Sequence, residues 1–359
     1  MTVLHGGHHT RLRHELRATS KPEISMKKAE VIAPAGNSAS LKAAVDAGAD
    51  AVYLGFNDST NARNFEGLNF THQELEDSIQ YVRAKGKKIF VAINTFPQAD
   101  GFQKWYRAVD RAVELGADAI IIANLGVLHY AASRYPDANL HLSTQASASN
   151  YESINFYRKQ FGIKRVVLPR VLTKDEIKAL VEHTDVEIEV FALGGLCINI
   201  EGRCYLSSYV TGASTNTTGA CSPSRFVRFA SEPEGGMSIR LNNVLLNRLT
   251  AAESSPYPTC CKGRYIRPDG VAAYAFEEPE SLNILPIVPN LIEAGVLAFK
   301  IEGRQRTKAY VSAMTGVLRE AVDSYYQNPA GYTVKPQWSA KVLSTFEGTK
   351  ETVGSYLVK

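Results

Sequence analysis

The sequence alternates between short apolar runs and segments with helical periodicity, and this alternation constrains the fold more than any other feature. The runs are rich in β-branched residues and apolar on both faces, which is typical of strands buried in a parallel sheet. Eight successive strand–helix units favour a (β/α)8 TIM-barrel-like fold, although strand count alone leaves a doubly wound open sheet as an alternative. The predicted strands are 31–33, 51–54, 88–93, 119–122, 140–143, 165–168, 187–191 and 297–301.

The last two predicted strands are separated by an oversized gap. Residues 279–296 have the pattern of the missing seventh helix, so the preceding residues form an insertion after strand seven. In a barrel such an insertion emerges at the C-terminal face, where active sites are built. We therefore predict five parts: a disordered N-terminal extension (1–28), strands one to seven (29–192), a Cys-rich insertion (193–278), the last helix, strand eight and closing helix (279–327), and a tail wrapping the surface (328–359).

The net charge of +4 belongs to the N-terminal extension. Residues 1–28 hold six Lys and Arg against Glu15 and Glu23, so the rest of the chain carries 34 basic and 34 acidic residues. A neutral body does not predict stable nucleic-acid binding. No stretch reaches the ~18 apolar residues of a transmembrane segment, and the N-terminus lacks the apolar region of a secretory signal. We therefore expect a cytoplasmic protein.

All five cysteines fall within the insertion. An odd count without an export signal argues against disulfides, and a Gly-rich, polar segment is not a hydrophobic core. The spacing lacks the paired Cys-x₂₋₄-Cys pattern usual for zinc, so single thiolates from separate loops suit an iron–sulfur cluster at least as well. Spacing alone leaves a cluster, zinc or neither open, and one of two vicinal cysteines is surplus. The cysteines are Cys197, Cys204, Cys221, Cys260 and Cys261.

Four segments of the sequence are specific enough to carry a family resemblance. They are LCINIEGRCYLSSY (196–209), GACSP (219–223), YPTCCKGRY (257–265) and KIEGR (300–304). Together they resemble the collagenase-like peptidase family U32. The resemblance extends over about 30–345 and is strongest to members that act in oxygen-independent ubiquinone biosynthesis.

The resemblance implies an iron–sulfur component of a hydroxylase that works without O₂. The resemblance implies a 4Fe-4S cluster and a heterodimer with a smaller relative, UbiV. It also implies that the lipid carrier UbiT handles the ubiquinone precursors and that prephenate supplies the oxygen. The family pattern places the cluster ligands at Cys197, Cys204, Cys221 and Cys261, which leaves Cys260 dispensable.

Peptidase activity is not expected from the residues. His14 and Glu15 are followed by Ala18 where the zinc-protease helix motif needs a second histidine, and there is no Gly-x-Ser-x-Gly elbow. Besides an oxygen-independent ring hydroxylase, two other functions stay open. One is hydroxylation of transfer or ribosomal RNA, because family relatives act on RNA. The other is a non-catalytic scaffold or electron-transfer subunit.

Polar residues at the predicted C-terminal strand ends are the remaining candidate site residues. Strand-end polarity in a barrel indicates function more often than stability, although buried networks use the same residue types. We assign Arg170 and Arg304 to an anion site for prephenate and Glu302 to proton transfer; the alternative is that such arginines pair with glutamates and steady the loops. Four further residues are predicted to contact substrate: Arg63, Asn94, Gln145 and Arg203.

Overall fold

The computed structural model describes residues 27–64, 67–199, 203–215, 220–346 and 350–357. The first strands in chain order are β1 (Glu30–Pro34), β2 (Ala51–Leu54), β3 (Lys88–Ile93), β4 (Ala119–Ile122), β5 (Leu140–Leu142), β6 (Arg165–Val167) and β7 (Glu187–Gly195). They are followed by β8 (Val227–Ser231), β9 (Met237–Leu241), β10 (Val244–Leu249), β11 (Arg264–Ile266), β12 (Ala272–Tyr274), β13 (Glu280–Asn283), β14 (Ala298–Ile301) and β15 (Lys350–Thr352).

Eight of these strands close into a parallel barrel. Each of β1 to β6 pairs with the next, and β14 closes the ring by pairing in parallel with both β7 and β1. The (β/α)8 TIM-barrel-like prediction is therefore confirmed, and each predicted strand corresponds to one barrel strand. The closed ring buries both faces of every strand, which explains why the runs lack the alternation of a half-exposed sheet.

Helices cover the outside of the barrel. Their apolar faces pack on the outward side chains of the strands, as α1 does with Leu41, Ala44 and Val45. Thr173 caps α6 in a reciprocal capping box with Glu176. The helices are α1 (Ser38–Asp46), α2 (His72–Ala84), α3 (Phe102–Glu114), α4 (Leu125–Arg134), α5 (Tyr151–Phe161), α6 (Lys174–His183), α7 (Tyr205–Thr211), α8 (Val288–Glu293), α9 (Lys308–Gln327) and α10 (Pro336–Leu343).

The N-terminal end of the barrel interior contains a network of buried charged residues. At the N-terminal end, Arg165 is buried between three carboxylates: its Nη2 lies 2.6 Å from Glu30 and from Glu187, and its Nη1 lies 3.2 Å from Glu189. Glu189 also pairs with Lys300 at 2.7 Å. Small and aromatic side chains fill the space around them, among them Ala51, Tyr53, Phe90, Ala92 and Ala119. The buried charges are thus matched at this end of the barrel.

The insertion forms a small separate layer beside the C-terminal mouth. Strands β8, β9 and β10 make an antiparallel sheet, and β11 pairs with β12 as a hairpin. Leu241, Leu246 and Cys260 form the buried cluster of this layer. Strand β7 continues past the barrel, where Gly195 pairs antiparallel with Ser281 of β13.

Three sequence-based boundaries are corrected by the structure. Only α8 is α-helical within the predicted helix 279–296. The first residues of that range form β13 instead, because they pair with the part of β7 that extends beyond the barrel. The tail is not a surface wrap: Trp338 and Tyr356 are buried, and β15 pairs with β13. Residues 1–26 of the proposed extension lie outside the described residues, whereas Lys27 and Lys28 form ion pairs with Glu187 and Asp323.

Among the described residues, no helix is both long enough and apolar enough to cross a membrane.

Candidate functional site

Two connected cavities open at the C-terminal mouth of the barrel. The larger, here the cysteine chamber, encloses about 1270 Å³ of empty space including its open part, and all five cysteines line it. The smaller, here the axial chamber, encloses about 560 Å³ on the same basis and is lined by residues such as Tyr53, Asn94, Thr144, Lys300 and Arg304. Four residues line both chambers: Arg63, Gln145, Arg170 and Glu302.

An arginine–glutamate bridge of Arg63, Glu302 and Arg170 lies at the junction of the chambers. Arg63 Nη2 donates to Glu302 Oε1 at 3.0 Å, and Arg170 Nη1 donates to Glu302 Oε2 and to the Gly195 carbonyl. The Arg170 guanidinium also stacks 3.9 Å from the Phe191 ring centroid. Burial alone would raise the pKa of Glu302, but the two guanidinium groups lower it to about 2. Glu302 is therefore ionised at neutral pH and can take part in proton transfer only as an acceptor.

Glycines allow the close approaches that build this junction. Gly194 in β7 has φ +134°, and a Cβ there would lie 2.7 Å from the Glu302 Cβ. Gly55, directly after β2, lies where a Cβ would be 2.8 Å from Arg304 Nη1. A side chain at either position would displace a charged residue of the mouth.

Arg304 is the most isolated cation of the mouth. It is 5% exposed, and its Nη1 donates to Asn61 Oδ1 at 3.0 Å. Within the described parts of the chain, no carboxylate lies within ion-pair distance of it. Burial, reinforced by the neighbouring Arg63, lowers the pKa of Arg304 to about 10.

Lys300 forms the floor of the axial chamber. Its Nζ lies 3.9 Å from the centroid of the Tyr53 ring, and the Arg304 guanidinium lies 5.8 Å from the same centroid. Burial lowers the pKa of Lys300, while its ion pair with Glu189 opposes that shift. Two buried cations thus share one aromatic ring at the bottom of the chamber.

The five cysteines come from four separate segments of the insertion. Cys197 follows β7, Cys204 is the N-cap of α7, and Cys260 and Cys261 lie in one 3-10 turn. Cys204 Sγ accepts hydrogen bonds from Ser207 N at 3.4 Å and Asn199 Nδ2 at 3.6 Å. N–H donors of this kind stabilise a thiolate and tune a cluster that it binds.

The cysteine thiols are the kind of donor that an iron–sulfur cluster uses, and all five line one chamber. No three His, Cys, Asp or Glu side chains in the described ranges are grouped closely enough to hold one ion. Instead, thiols surround a chamber, as a cluster requires, because each cluster ligand binds a different iron atom. Burial raises the pKa of Cys221 to about 11; Arg63 opposes this shift, and Cys204 and Cys261 add to it. The unmetallated Cys221 thiol therefore holds its proton, and metal binding must release it.

The vicinal pair differs in environment. Cys260 is 4% exposed and packs with Leu241 and Leu246, whereas Cys261 Sγ lies 3.3 Å from Thr259 Oγ1 and is partly exposed. A side chain that fills an apolar cluster has a packing role of its own. The surroundings thus favour Cys261 as the ligand of the pair.

The structure brings most of the sequence-predicted site residues together. Arg63, Gln145, Arg170, Glu302 and Arg304 line the two chambers, and Asn94 lines the axial chamber while its Oδ1 accepts from Ala62 N. Arg203 does not line either chamber; it stacks 4.4 Å from the Phe96 ring centroid in the loop after β3. The prediction missed Tyr53, Thr144 and Lys300. A lysine inside an otherwise apolar strand was the available signal for Lys300.

Comparison with known proteins gives four findings. The family model described as Peptidase family U32 matches residues 36–358. tRNA hydroxylation protein P1 of Bacillus subtilis (strain 168) is 31% identical over 318 residues, which are 88% of this chain and 68% of that protein. The 23S rRNA 5-hydroxycytidine C2501 synthase of Escherichia coli (strain K12) is 29% identical over 84% of this chain and 40% of that protein. The structure of the U32 peptidase Mk0906 aligns with a TM-score of 0.48 and 12% identity over 81% of this chain and 99% of that chain.

Proposed function

Because the chain belongs to peptidase family U32, and relatives in that family are named as hydroxylation proteins, we propose that it is the iron–sulfur component of an oxygen-independent hydroxylase. Its proposed substrates are ubiquinone precursors, as for UbiU, with prephenate as the oxygen donor. We further propose that it works in the cytoplasm as a heterodimer with a UbiV-like relative, with a UbiT-like carrier presenting the lipid intermediates.

The observation that carries this proposal is the convergence of thiols and charged groups on one connected mouth. Cys197, Cys204, Cys221 and Cys261 would hold a 4Fe-4S cluster in the cysteine chamber. When bound, such a cluster supplies single-electron chemistry. The residues of the chain bind the donor acid and exclude water from the chamber.

The anion site for the donor consists of Arg304 and Arg170. Arg304 is buried without a carboxylate partner among the described residues, so it can bind a carboxylate directly through two N–H donors. Arg170 acts differently, since it neutralises Glu302, whose charge would otherwise repel an acid in the same mouth.

Replacing either arginine by glutamine is expected to weaken prephenate binding by about tenfold or more while leaving the iron content unchanged. Arg304→Gln removes the direct contact, and Arg170→Gln leaves the Glu302 charge partly uncompensated. Equilibrium dialysis with anaerobically purified protein measures the binding, and the exposed Arg267→Gln provides the control. Unaltered binding in both variants would place the acid elsewhere, and loss of iron would assign these arginines a structural role.

A second candidate is hydroxylation of RNA, because the two named relatives carry RNA hydroxylation in their names. The balanced charge of the chain beyond residue 28 argues against a broad phosphate-binding face. A strain lacking this chain, grown without O₂, distinguishes the candidates. We expect its quinone profile to lose ubiquinone and accumulate unhydroxylated precursors, with restoration by the intact gene. Normal quinones together with a missing hydroxylated nucleoside in its RNA would contradict the proposal and support the second candidate.

A further inference from the structure

We propose that the axial chamber is a separate subsite for the small organic acid, which binds there without contacting the cysteines or a cluster on them. The ligand class is an acid with one carboxylate for Arg304 and a second polar group for the chamber wall. This inference rests on the proposed function and adds the location of the donor.

Arg304 is the cation of the axial chamber that would bind the carboxylate of the acid. Its guanidinium lines the axial chamber but not the cysteine chamber. A buried guanidinium held by one neutral amide has lost its hydration without gaining a countercharge, so a carboxylate from the ligand would compensate it. Gly55 leaves the space in which this guanidinium lies.

The wall of the axial chamber contains two residues whose buried side-chain oxygens lack hydrogen-bond partners in the described part of the chain. Gln145 Oε1 and Thr144 Oγ1 are buried and have no hydrogen-bond partner within the described part of the chain. Both residues lie directly after β5 and are at least nine-tenths buried. Buried polar atoms without partners are uncommon in folded proteins, and both residues line the axial chamber. A hydroxyl or protonated acid group of a ligand would satisfy them.

The arginine–glutamate bridge separates this subsite from the thiols. Arg63 and Arg170 both direct N–H groups at Glu302, so each guanidinium of the junction has a carboxylate partner. Arg304, on the axial side, has no carboxylate within ion-pair distance among the described residues, whereas Lys300 is paired with Glu189.

Binding of prephenate and of phenylpyruvate to variants of each chamber tests the assignment. Gln145→Leu is expected to weaken binding by about tenfold and Thr144→Val by about threefold, because each removes a hydrogen bond to the ligand. Arg306→Gln is the matched control, since Arg306 lines only the cysteine chamber and donates to the Thr345 carbonyl. Its binding should stay within about twofold of the wild type.

The outcomes separate this inference from the proposed function. Wild-type affinity in both Gln145→Leu and Thr144→Val would overturn the subsite. Loss of acid binding in Arg306→Gln would place the acid in the cysteine chamber and also overturn it, while leaving an iron-containing hydroxylase intact. Thr144→Val is nearly isosteric, so its affinity decides the matter even if Gln145→Leu fails to fold.

Discussion

Anaerobically purified Cys261→Ala is expected to lose nearly all of its iron and its brown colour. With one of four thiolates missing, the remaining cysteines leave one iron atom without a protein ligand, and the cluster becomes unstable. Iron analysis and the visible absorption spectrum measure the effect. The same loss is expected for Cys221→Ala, since Cys221 lies beside Arg63 deep in the cysteine chamber.

Cys260→Ala is the matched control, because it changes the adjacent residue of the same 3-10 turn. It should keep its iron and colour. It should lose some stability, because Cys260 packs in the hydrophobic cluster with Leu241 and Leu246. The reverse pattern, with iron lost from Cys260→Ala and kept in Cys261→Ala, would refute the ligand assignment.

Arg165→Met is expected to lower the free energy of unfolding by about 3–5 kcal/mol. Arg165 is 2% exposed and contacts Glu30, Glu187 and Glu189, so its loss leaves buried carboxylates without their main countercharge. Urea denaturation of the anaerobically purified protein measures the change. Arg158→Met, which breaks the exposed pair with Asp185, should cost less than about 1 kcal/mol.

The same network makes stability depend on acid pH. Burial would raise the pKa of Glu30, but Arg165 and Lys88 lower it from 4.5 to about 2. A carboxylate with a depressed folded-state pKa contributes stability above pH 4.5 that is lost as the pH falls toward 2. Arg165→Met should flatten this part of the stability curve, and Arg165→Lys, which keeps the charge, should retain more of it. Wild-type stability in Arg165→Met would contradict the structural role given to the network.

The barrel was predictable because its signal is local. Runs such as 119–122 are apolar on both faces, which requires a parallel sheet covered on both sides. The β13 strand was not predictable in the same way, since it pairs with the extension of β7 across a long insertion. Its sequence has no independent strand pattern, and the edge that it occupies exists only in the folded chain.

The sequence identified several residues of the candidate site but not the contacts between them. Strand-end polarity identified Arg170, Glu302 and Arg304, but only the structure shows that the first two neutralise each other while Arg304 has no carboxylate nearby in the described residues. Arg203, predicted to contact substrate, lies outside the lining of both chambers, because a loop arginine in a cysteine motif gives no direction for its side chain. It stacks on Phe96 of another loop, a long-range contact that spacing cannot reveal.

Metal analysis of the anaerobically purified wild-type chain, combined with its Mössbauer spectrum, tests the central claim most directly. Four thiolates around the cysteine chamber predict about four iron atoms and as many inorganic sulfides per chain, with the spectrum of a 4Fe-4S cluster. A stoichiometric zinc ion in their place, or a protein that takes up no iron after anaerobic reconstitution with iron and sulfide, would contradict the account.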